Sequence, residues 1–144
     1  IPRKEAKYVL PTNSAGGVGF HLRFFLGMGG WQPPVISDTV VKYGEWHYLA
    51  GTYDGKELKV FIDGKVDKAQ NQAGDIVATT DPLRWSNDCC GGRMLEGILD
   101  ELAILNRALD ESEMTQMMAG ILTALAVKPT GKLAVSWGSI KNSR

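Results

Sequence analysis

The clearest hydrophobic pattern lies between residues 45 and 69, where apolar and polar positions alternate in three short runs. Two Asp-Gly pairs, Asp54-Gly55 and Asp63-Gly64, separate these runs. Asp-Gly suits tight turns that need a positive φ, and between alternating runs it is the strongest local indication of a β-hairpin. The pattern therefore predicts a three-stranded antiparallel meander whose central strand carries apolar side chains on both faces, as in a two-sheet sandwich.

Further strands are predicted before the meander. Residues 18–26 alternate between two faces, and residues 35–42 are rich in β-branched side chains. Residues 6–10 form a short strand candidate, whereas the Pro-, Asn- and Gly-containing run at 11–17 is typical of a loop. Trp46 stands at the start of the first meander strand, so we expect its side chain in the core.

After the meander the pattern is less regular. Residues 94–105 form a long apolar run that predicts a core strand, and shorter strands are predicted at 83–86 and 132–137. Between residues 106 and 120 the apolar period becomes helical.

Asp110 followed by Glu113 predicts a capping box for this helix, and Gly120 predicts its end. The expected buried face of the helix includes Met114, Met117 and Met118.

Composition narrows the functional classes. The chain has 144 residues with 16 basic and 16 acidic side chains, so no basic surface favours nucleic acid. No apolar run approaches the roughly 20 residues that a membrane-spanning helix needs. The first residues lack both an initiator Met and the apolar core of a signal peptide, and we interpret the chain as a fragment or a processed product.

The two cysteines, Cys89 and Cys90, are adjacent in a glycine-rich loop. One interpretation is a vicinal disulfide, whose strained ring would offer a flat apolar surface to a sugar. The other is a pair of reduced or buried thiols in a turn. Asp88 and Arg93 flank the pair, where they either hydrogen-bond a polar ligand or tie down the loop.

Two tryptophans are predicted beside turns. Trp31 lies in a Gly- and Pro-rich turn, and Trp85 lies near the cysteine loop. An exposed indole ring at such a position can stack on a sugar, although packing is the simpler interpretation for any single tryptophan.

Two segments together resemble a known family. The first is residues 45–55 (EWHYLAGTYDG) followed by 60–64 (VFIDG), and the second is residues 97–109 (GILDELAILNRAL) followed by Glu113. In order and separation they are similar to the laminin G-like, concanavalin A-like jelly-roll domains of secreted and surface proteins.

The resemblance implies an all-β fold, an antiparallel β-sandwich of the jelly-roll type with one short C-terminal helix. We assign residues 1–120 to this domain and residues 121–144 to a C-terminal extension. Such domains have further strands before the point that matches residue 1, so we expect a partner chain or a segment of a longer parent protein to complete the sandwich.

In many members of this superfamily an acid in the late strand helps bind a structural Ca²⁺, which implies a metal role for Asp100. The alternative is that Asp100 caps a loop or pairs with Arg107. In a strand, Glu96 and Asp100 would lie about 13 Å apart. That separation exceeds the roughly 5–9.5 Å used by glycosidases, so the spacing argues against catalysis.

The resemblance and the absence of a recognisable catalytic motif favour a noncatalytic binding module of a larger extracellular or surface protein, with a carbohydrate as ligand. A protein-interaction, adhesion or structural assembly module is the alternative, and a polysaccharide-cleaving enzyme ranks last. The expected partners are a glycan or a surface protein, and neither nucleic acid nor a membrane span is expected.

Overall fold

The computed structural model describes residues 8–9, 12–15, 17–30, 32–78, 80 and 96–120. In this part of the chain, one sheet consists of β1 (Tyr8–Val9), β2 (Thr12–Ser14), β3 (Gly19–Leu26) and β4 (Val35–Lys42). The other consists of β5 (Leu49–Tyr53), β6 (Glu57–Ile62) and β7 (Lys65–Asn71), and the helix is α1 (Glu111–Met118). All strand pairs are antiparallel.

Strand β3 is the centre of the four-stranded sheet. It pairs with β4 along one edge, whereas β1 and β2 share one continuous register along the other. The strands at 18–26 and 35–42 are thus confirmed. The predicted loop at 11–17 is wrong for residues 12–14, which form a strand. Pairing with β3 holds these residues extended, although their residue types favour turns.

The two sheets pack face to face. Their shared core contains Leu22, Phe24 and Leu26 from β3, Val35 from β4, and Leu58 and Val60 from β6. Alternation along β3 and β6 places these residues on the inward faces, as a sandwich requires. The predicted all-β, antiparallel sandwich is confirmed.

The second sheet is the meander that the Asp-Gly pairs predict. Strands β5, β6 and β7 are consecutive neighbours. Asp63 and Gly64 have φ values of 52° and 82°, and a type I′ hairpin turn needs this left-handed backbone at both central residues. The predicted hairpin is therefore confirmed, and so is the positive φ that its Asp-Gly turn needs.

Helix α1 packs on the outer face of the second sheet. Phe61 of β6 forms a second buried cluster with Leu109, Met114 and Met117, and the capping box of Asp110 with Glu113 is present as predicted. Met118 departs from the prediction: it lies near the turn at Gly64 and its side chain is 43% exposed.

Polar contacts join β4 to β7 across the edge of the sandwich. The register of β6 and β7 shifts at Asp67, and its carboxylate accepts hydrogen bonds from the backbone N–H groups of Asp38 (2.6 Å) and Thr39 (3.3 Å). The Lys68 ammonium lies 2.7 Å from a carboxylate oxygen of Asp38. These contacts fix the relative position of the two edge strands.

The predicted core strand at 94–105 is wrong for residues 96–105, the part that the structure describes. This stretch has no strand, and Ile98, Leu99, Leu102 and Ile104 are all exposed. The physical reason is local: Glu101 has a φ of 51°, which an extended strand cannot accommodate, and its N–H donates to the carboxylate of Asp100. The predicted strands at 83–86 and 132–137 and the extension 121–144 lie outside the described residues.

Candidate functional site

Residues 43–48 join β4 to β5, and we call them the aromatic loop. Its Trp46 side chain is 70% exposed and its Tyr43 side chain 54% exposed. The expectation that Trp46 is a core residue is wrong, because pairing of β5 begins only at Leu49 and Trp46 lies beyond the packed sheets. A large aromatic surface is thus left in solvent, which is more informative than a buried one.

The first half of the aromatic loop is attached to β3. The Tyr43 ring contacts the Phe20 ring at a centroid distance of 5.9 Å and an interplanar angle of 42°. The Tyr43 N–H also donates to the Val18 carbonyl at 3.4 Å. Gly44, with a φ of 79°, then reverses the chain in a conformation that favours glycine.

The second half is attached to the β6–β7 turn through Asp63. One carboxylate oxygen of Asp63 lies 2.9 Å from His47 Nδ1, and the other accepts the Tyr48 N–H at 2.9 Å. The Asp63 N–H in turn donates to the Tyr48 carbonyl at 2.8 Å. Three hydrogen bonds therefore hold the residues that immediately follow Trp46.

The polar groups of this loop are divided between interior and solvent. His47 Nε2 is buried and has no hydrogen-bond partner in the described part of the chain, with Glu45 Oε2 at 3.9 Å. Tyr48 packs against the second core cluster, and burial, with a smaller contribution from Glu101, raises the pKa of its phenol. Trp46, Tyr43 and the exposed carboxylate of Glu45 are left to face solvent.

This combination suits a ligand that is apolar on one side and rich in hydroxyl groups on its edge. An indole ring offers a flat, polarisable surface for C–H groups, and a carboxylate accepts strong hydrogen bonds from hydroxyl donors. Because both flanks of the loop are fixed by hydrogen bonds and ring contacts, little conformational freedom would be lost on binding.

A cleft of about 210 Å³ lies between the β5–β6 hairpin and the residues before α1. Its lining includes Thr52, Asp54, Glu57, Lys59, Leu109 and Asp110. In the hairpin, Asp54 Oδ1 accepts the N–H groups of Lys56 (2.9 Å) and Glu57 (2.8 Å). The bond from Glu57 is the chief reason that the pKa of Asp54 is lowered, so this wall carries a fixed negative charge.

The opposite wall of the cleft is the helix cap. Asp110 accepts the Glu113 N–H at 2.8 Å, and the Glu113 carboxylate binds both terminal nitrogens of Arg107 at 2.6 and 2.7 Å. Two further lining residues form an ion pair, with Lys59 Nζ 2.8 Å from Glu57 Oε2, and this contact raises the pKa of the lysine. The cleft is thus rich in acceptors, but the residues that line it include no aromatic ring.

Most of the site residues expected from sequence lie outside the described residues. These are Trp31, Trp85, Asp88, Cys89, Cys90 and Arg93. Their role in ligand binding therefore stays a prediction, as does the choice between a vicinal disulfide and two thiols.

Asp100 lies on the exposed irregular segment before α1, where its carboxylate accepts the N–H of Glu101 at 2.8 Å. Arg107 is bound to Glu113 and does not pair with Asp100. Calcium needs six to eight oxygen ligands. No group of three or more His, Cys, Asp or Glu side chains within the described ranges could hold a metal ion, so these residues alone do not fit a calcium site.

The strand on which the glycosidase distance rested is not formed. Glu96 and Asp100 lie on the exposed, irregular stretch, so the estimate of about 13 Å from strand geometry does not apply to them. Neither residue lines the described cleft.

The aromatic loop is not among the sites expected from the sequence. A usable indication was present, because Gly44 follows a predicted strand and places Trp46 in a turn before the next one. The contact of Asp63 with His47 was not predictable from local pattern, because it joins residues 16 positions apart.

A comparison with protein families agrees with this architecture. A family model described as the concanavalin A-like lectin/glucanases superfamily, of laminin G type, matches residues 3–115, well over half of the chain. No curated protein sequence matches.

Among solved structures, part of an S-layer domain-containing protein from Clostridium thermocellum is similar at 16% identity and a TM-score of 0.41. That match covers 81% of this chain, which spans 64% of the other. In the described residues, no helix combines the length and apolar character that crossing a membrane demands.

Proposed function

Because the chain belongs to the laminin G-type family of the concanavalin A-like lectin/glucanases superfamily, we propose that it is a noncatalytic carbohydrate-binding module of a larger extracellular or surface protein. The ligand stacks on the indole ring of Trp46. The hydroxyl groups at the edge of the sugar ring donate hydrogen bonds to Glu45, and Tyr43 provides a second aromatic contact.

The observation that carries this proposal is the exposure of Trp46 on a loop whose two flanks are fixed. A tryptophan that is 70% exposed contributes little to the core. Its neighbours are nevertheless held by the Asp63 carboxylate and by the contact of Tyr43 with Phe20. A loop that is held at both flanks loses little backbone entropy when a ligand stacks on its exposed ring.

Other contacts are proposed on parts of the chain that the structure does not describe. Trp31 and Trp85 are candidates for further stacking, and the loop from Asp88 to Arg93, with Cys89 and Cys90, is a candidate for polar contacts. A structural Ca²⁺ that involves Asp100 would need most of its ligands from the same undescribed parts of the chain.

The test is a panel of immobilised neutral and acidic polysaccharides, probed with the whole chain and with loop variants. Trp46→Ala should weaken binding to every retained glycan at least about fivefold, because a stacked ring is worth about 1 kcal/mol beyond the area it covers. Trp46→Tyr should keep most of the affinity. Met118→Ala, which removes another exposed apolar side chain, is the matched control and should bind as the wild type does.

Two outcomes would contradict the proposal. Absence of binding to the whole panel by the folded wild-type chain would exclude carbohydrate as the ligand class. Wild-type affinity in a folded Trp46→Ala variant would exclude the aromatic loop as the site.

A specific observation favours a second function, that of a protein-interaction or assembly module. Ile98, Leu99, Leu102 and Ile104 are between 46% and 76% exposed on one short segment. Clustered exposed apolar side chains are typical of surfaces that another chain covers. Native mass measured over a range of concentrations tests this alternative: Leu102→Ser should shift any oligomer towards the monomer, and a monomer at every concentration would contradict it.

A further inference from the structure

The imidazole ring of His47 lies between two carboxylates in the aromatic loop. Its Nδ1 atom is 2.9 Å from Oδ2 of Asp63, and its Nε2 atom is 3.9 Å from Oε2 of Glu45. The His47 side chain is 17% exposed, whereas the Glu45 side chain is 59% exposed. A titratable ring is thus held next to the exposed Trp46, which separates His47 from Glu45 in the chain.

The two ring nitrogens of His47 have different surroundings. An ionised carboxylate only accepts hydrogen bonds, so the contact with Asp63 places a proton on Nδ1. In the neutral ring Nε2 is then an unprotonated acceptor, and this atom is buried without a hydrogen-bond partner in the described part of the chain. It shares no proton with Glu45, which agrees with their separation of 3.9 Å.

Protonation of the ring would change the position that Glu45 prefers. It adds an N–H group at the buried Nε2, and a buried donor without an acceptor is costly. The Glu45 carboxylate needs to move only about 1 Å closer to form a charge-assisted hydrogen bond of roughly 2.8 Å with Nε2. Histidine is the side chain that ordinarily changes charge between about pH 5 and 8.

Other charged residues lie on the elements next to this loop: Lys65 on β7, Glu101 before α1, and Glu111 on α1. Glu111 already accepts the N–H of Val66 at 2.7 Å. Glu101 acts on Tyr48, whose phenol pKa it helps to raise. Lys65 is a cation and cannot accept a hydrogen bond. Among the described residues, the ion-pair contact of Nε2 is therefore with Glu45.

We propose that His47 is a pH switch for the aromatic loop: protonation of its ring draws the Glu45 carboxylate to Nε2 and withdraws it from the ligand. This inference rests on the proposed carbohydrate function and specifies how that site is regulated. The neutral ring leaves Glu45 free to accept hydrogen bonds from sugar hydroxyl groups. As the pH falls from about 8 to about 5, the protonated fraction rises and glycan affinity decreases.

The experiment measures the affinity of the whole chain for the glycan that binds best in the panel, between about pH 8 and pH 5. The wild type should lose about fivefold in affinity, because an exposed carboxylate stops accepting hydrogen bonds from the ligand. His47→Asn keeps an N–H donor for Asp63 but does not titrate, so its affinity should stay constant. Glu45→Gln should bind more weakly at pH 8 and change less with pH.

The matched control is His21→Gln, which removes the other histidine of the chain. The ring of His21 lies on β3, with Nδ1 2.8 Å from the Ser37 carbonyl oxygen. This variant should keep the pH dependence of the wild type. Constant affinity in His21→Gln, together with a wild-type pH dependence in His47→Asn, would overturn the assignment to His47.

NMR spectra of the ligand-free chain separate this switch from the proposed function. The Trp46 indole signal and the Glu45 amide signal should shift together with the His47 ring signals between about pH 8 and pH 5, and should not do so in His47→Asn. A His47 ring that does not titrate in this interval, or titrates without moving those signals, would overturn the switch even when no glycan binds. Glycan binding through Trp46 with equal affinity at both ends of the interval would overturn the switch and leave the carbohydrate function standing.

Discussion

His47 Nδ1 lies 2.9 Å from a carboxylate oxygen of Asp63, and this contact fixes the residue that follows the exposed Trp46. Asp63 reaches His47 because it occupies the β6–β7 turn with a φ of 52°, a conformation that few residues other than Gly, Asn and Asp adopt readily. The same turn therefore makes the hairpin and positions the proposed ligand-binding loop.

Replacing Asp63 should affect stability and binding together. Asp63→Ala removes the acceptor for His47 and Tyr48 and places Ala at a positive φ, so we expect a loss of about 1–2 kcal/mol of unfolding free energy. Asp63→Asn tolerates the backbone and should lose less. Urea denaturation measures the first effect and glycan affinity the second. Wild-type stability in Asp63→Ala would show that the turn does not depend on these contacts.

The packing of α1 on the second sheet predicts a contrast within one helix. Met114 is 2% exposed beside Phe61, whereas Met118 is 43% exposed. Met114→Ala should cost about 2–5 kcal/mol by creating a cavity, and Met118→Ala should cost less than about 1 kcal/mol. Thermal or urea unfolding of both variants measures the loss of unfolding free energy. Equal losses would contradict the packing of Met114 against Phe61.

Gly51 predicts a steric effect in the core. A Cβ atom added there would lie 2.6 Å from the Phe24 ring, which belongs to the core between the sheets. Gly51→Ala should therefore cost about 1–3 kcal/mol through overpacking. Gly30 has open space around it and a φ outside the left-handed region, so Gly30→Ala is the control. If the two variants unfold at the same urea concentration, that result would contradict the close contact between Gly51 of β5 and Phe24 of β3.

The helix cap predicts a dependence of stability on pH. The Arg107 guanidinium, followed by the Asp110 N–H, holds the pKa of Glu113 below its ordinary value of 4.5. The resulting stabilisation is present above about pH 4.5 and is lost as pH falls through the lower folded-state pKa.

Glu113→Gln should therefore lower stability at neutral pH and flatten this part of the acid dependence, whereas Ser112→Ala in the same turn should keep the wild-type slope. Urea midpoints measured from neutral pH to about pH 3 compare the variants. An unchanged slope in Glu113→Gln would contradict the ion pair with Arg107.

The meander and the helix were predictable because their determinants are local. Asp63-Gly64 specifies its turn through backbone conformation alone, and the capping box needs only Asp110 and Glu113 at the right spacing. The family resemblance then supplied the sandwich arrangement that local pattern could not.

The exposure of Trp46 and the irregular segment at 96–105 depend on tertiary context. Trp46 is exposed because β5 begins to pair only at Leu49, a boundary that no local rule marks. The apolar run after residue 94 has strand composition, yet the positive φ of Glu101 interrupts it. The composition of a segment shows how many apolar side chains it could bury. Strand pairing and backbone turns decide which of those side chains are buried in the folded protein.

The most direct test of the central claim is a ¹H–¹⁵N NMR titration of the whole chain with the glycan that binds best in the panel. The Trp46 indole signal is assigned by its loss in Trp46→Phe. We predict that this signal and the backbone amides of Tyr43 and Glu45 shift on binding. Saturable glycan binding that leaves all three signals unmoved would show that the aromatic loop is not the binding site.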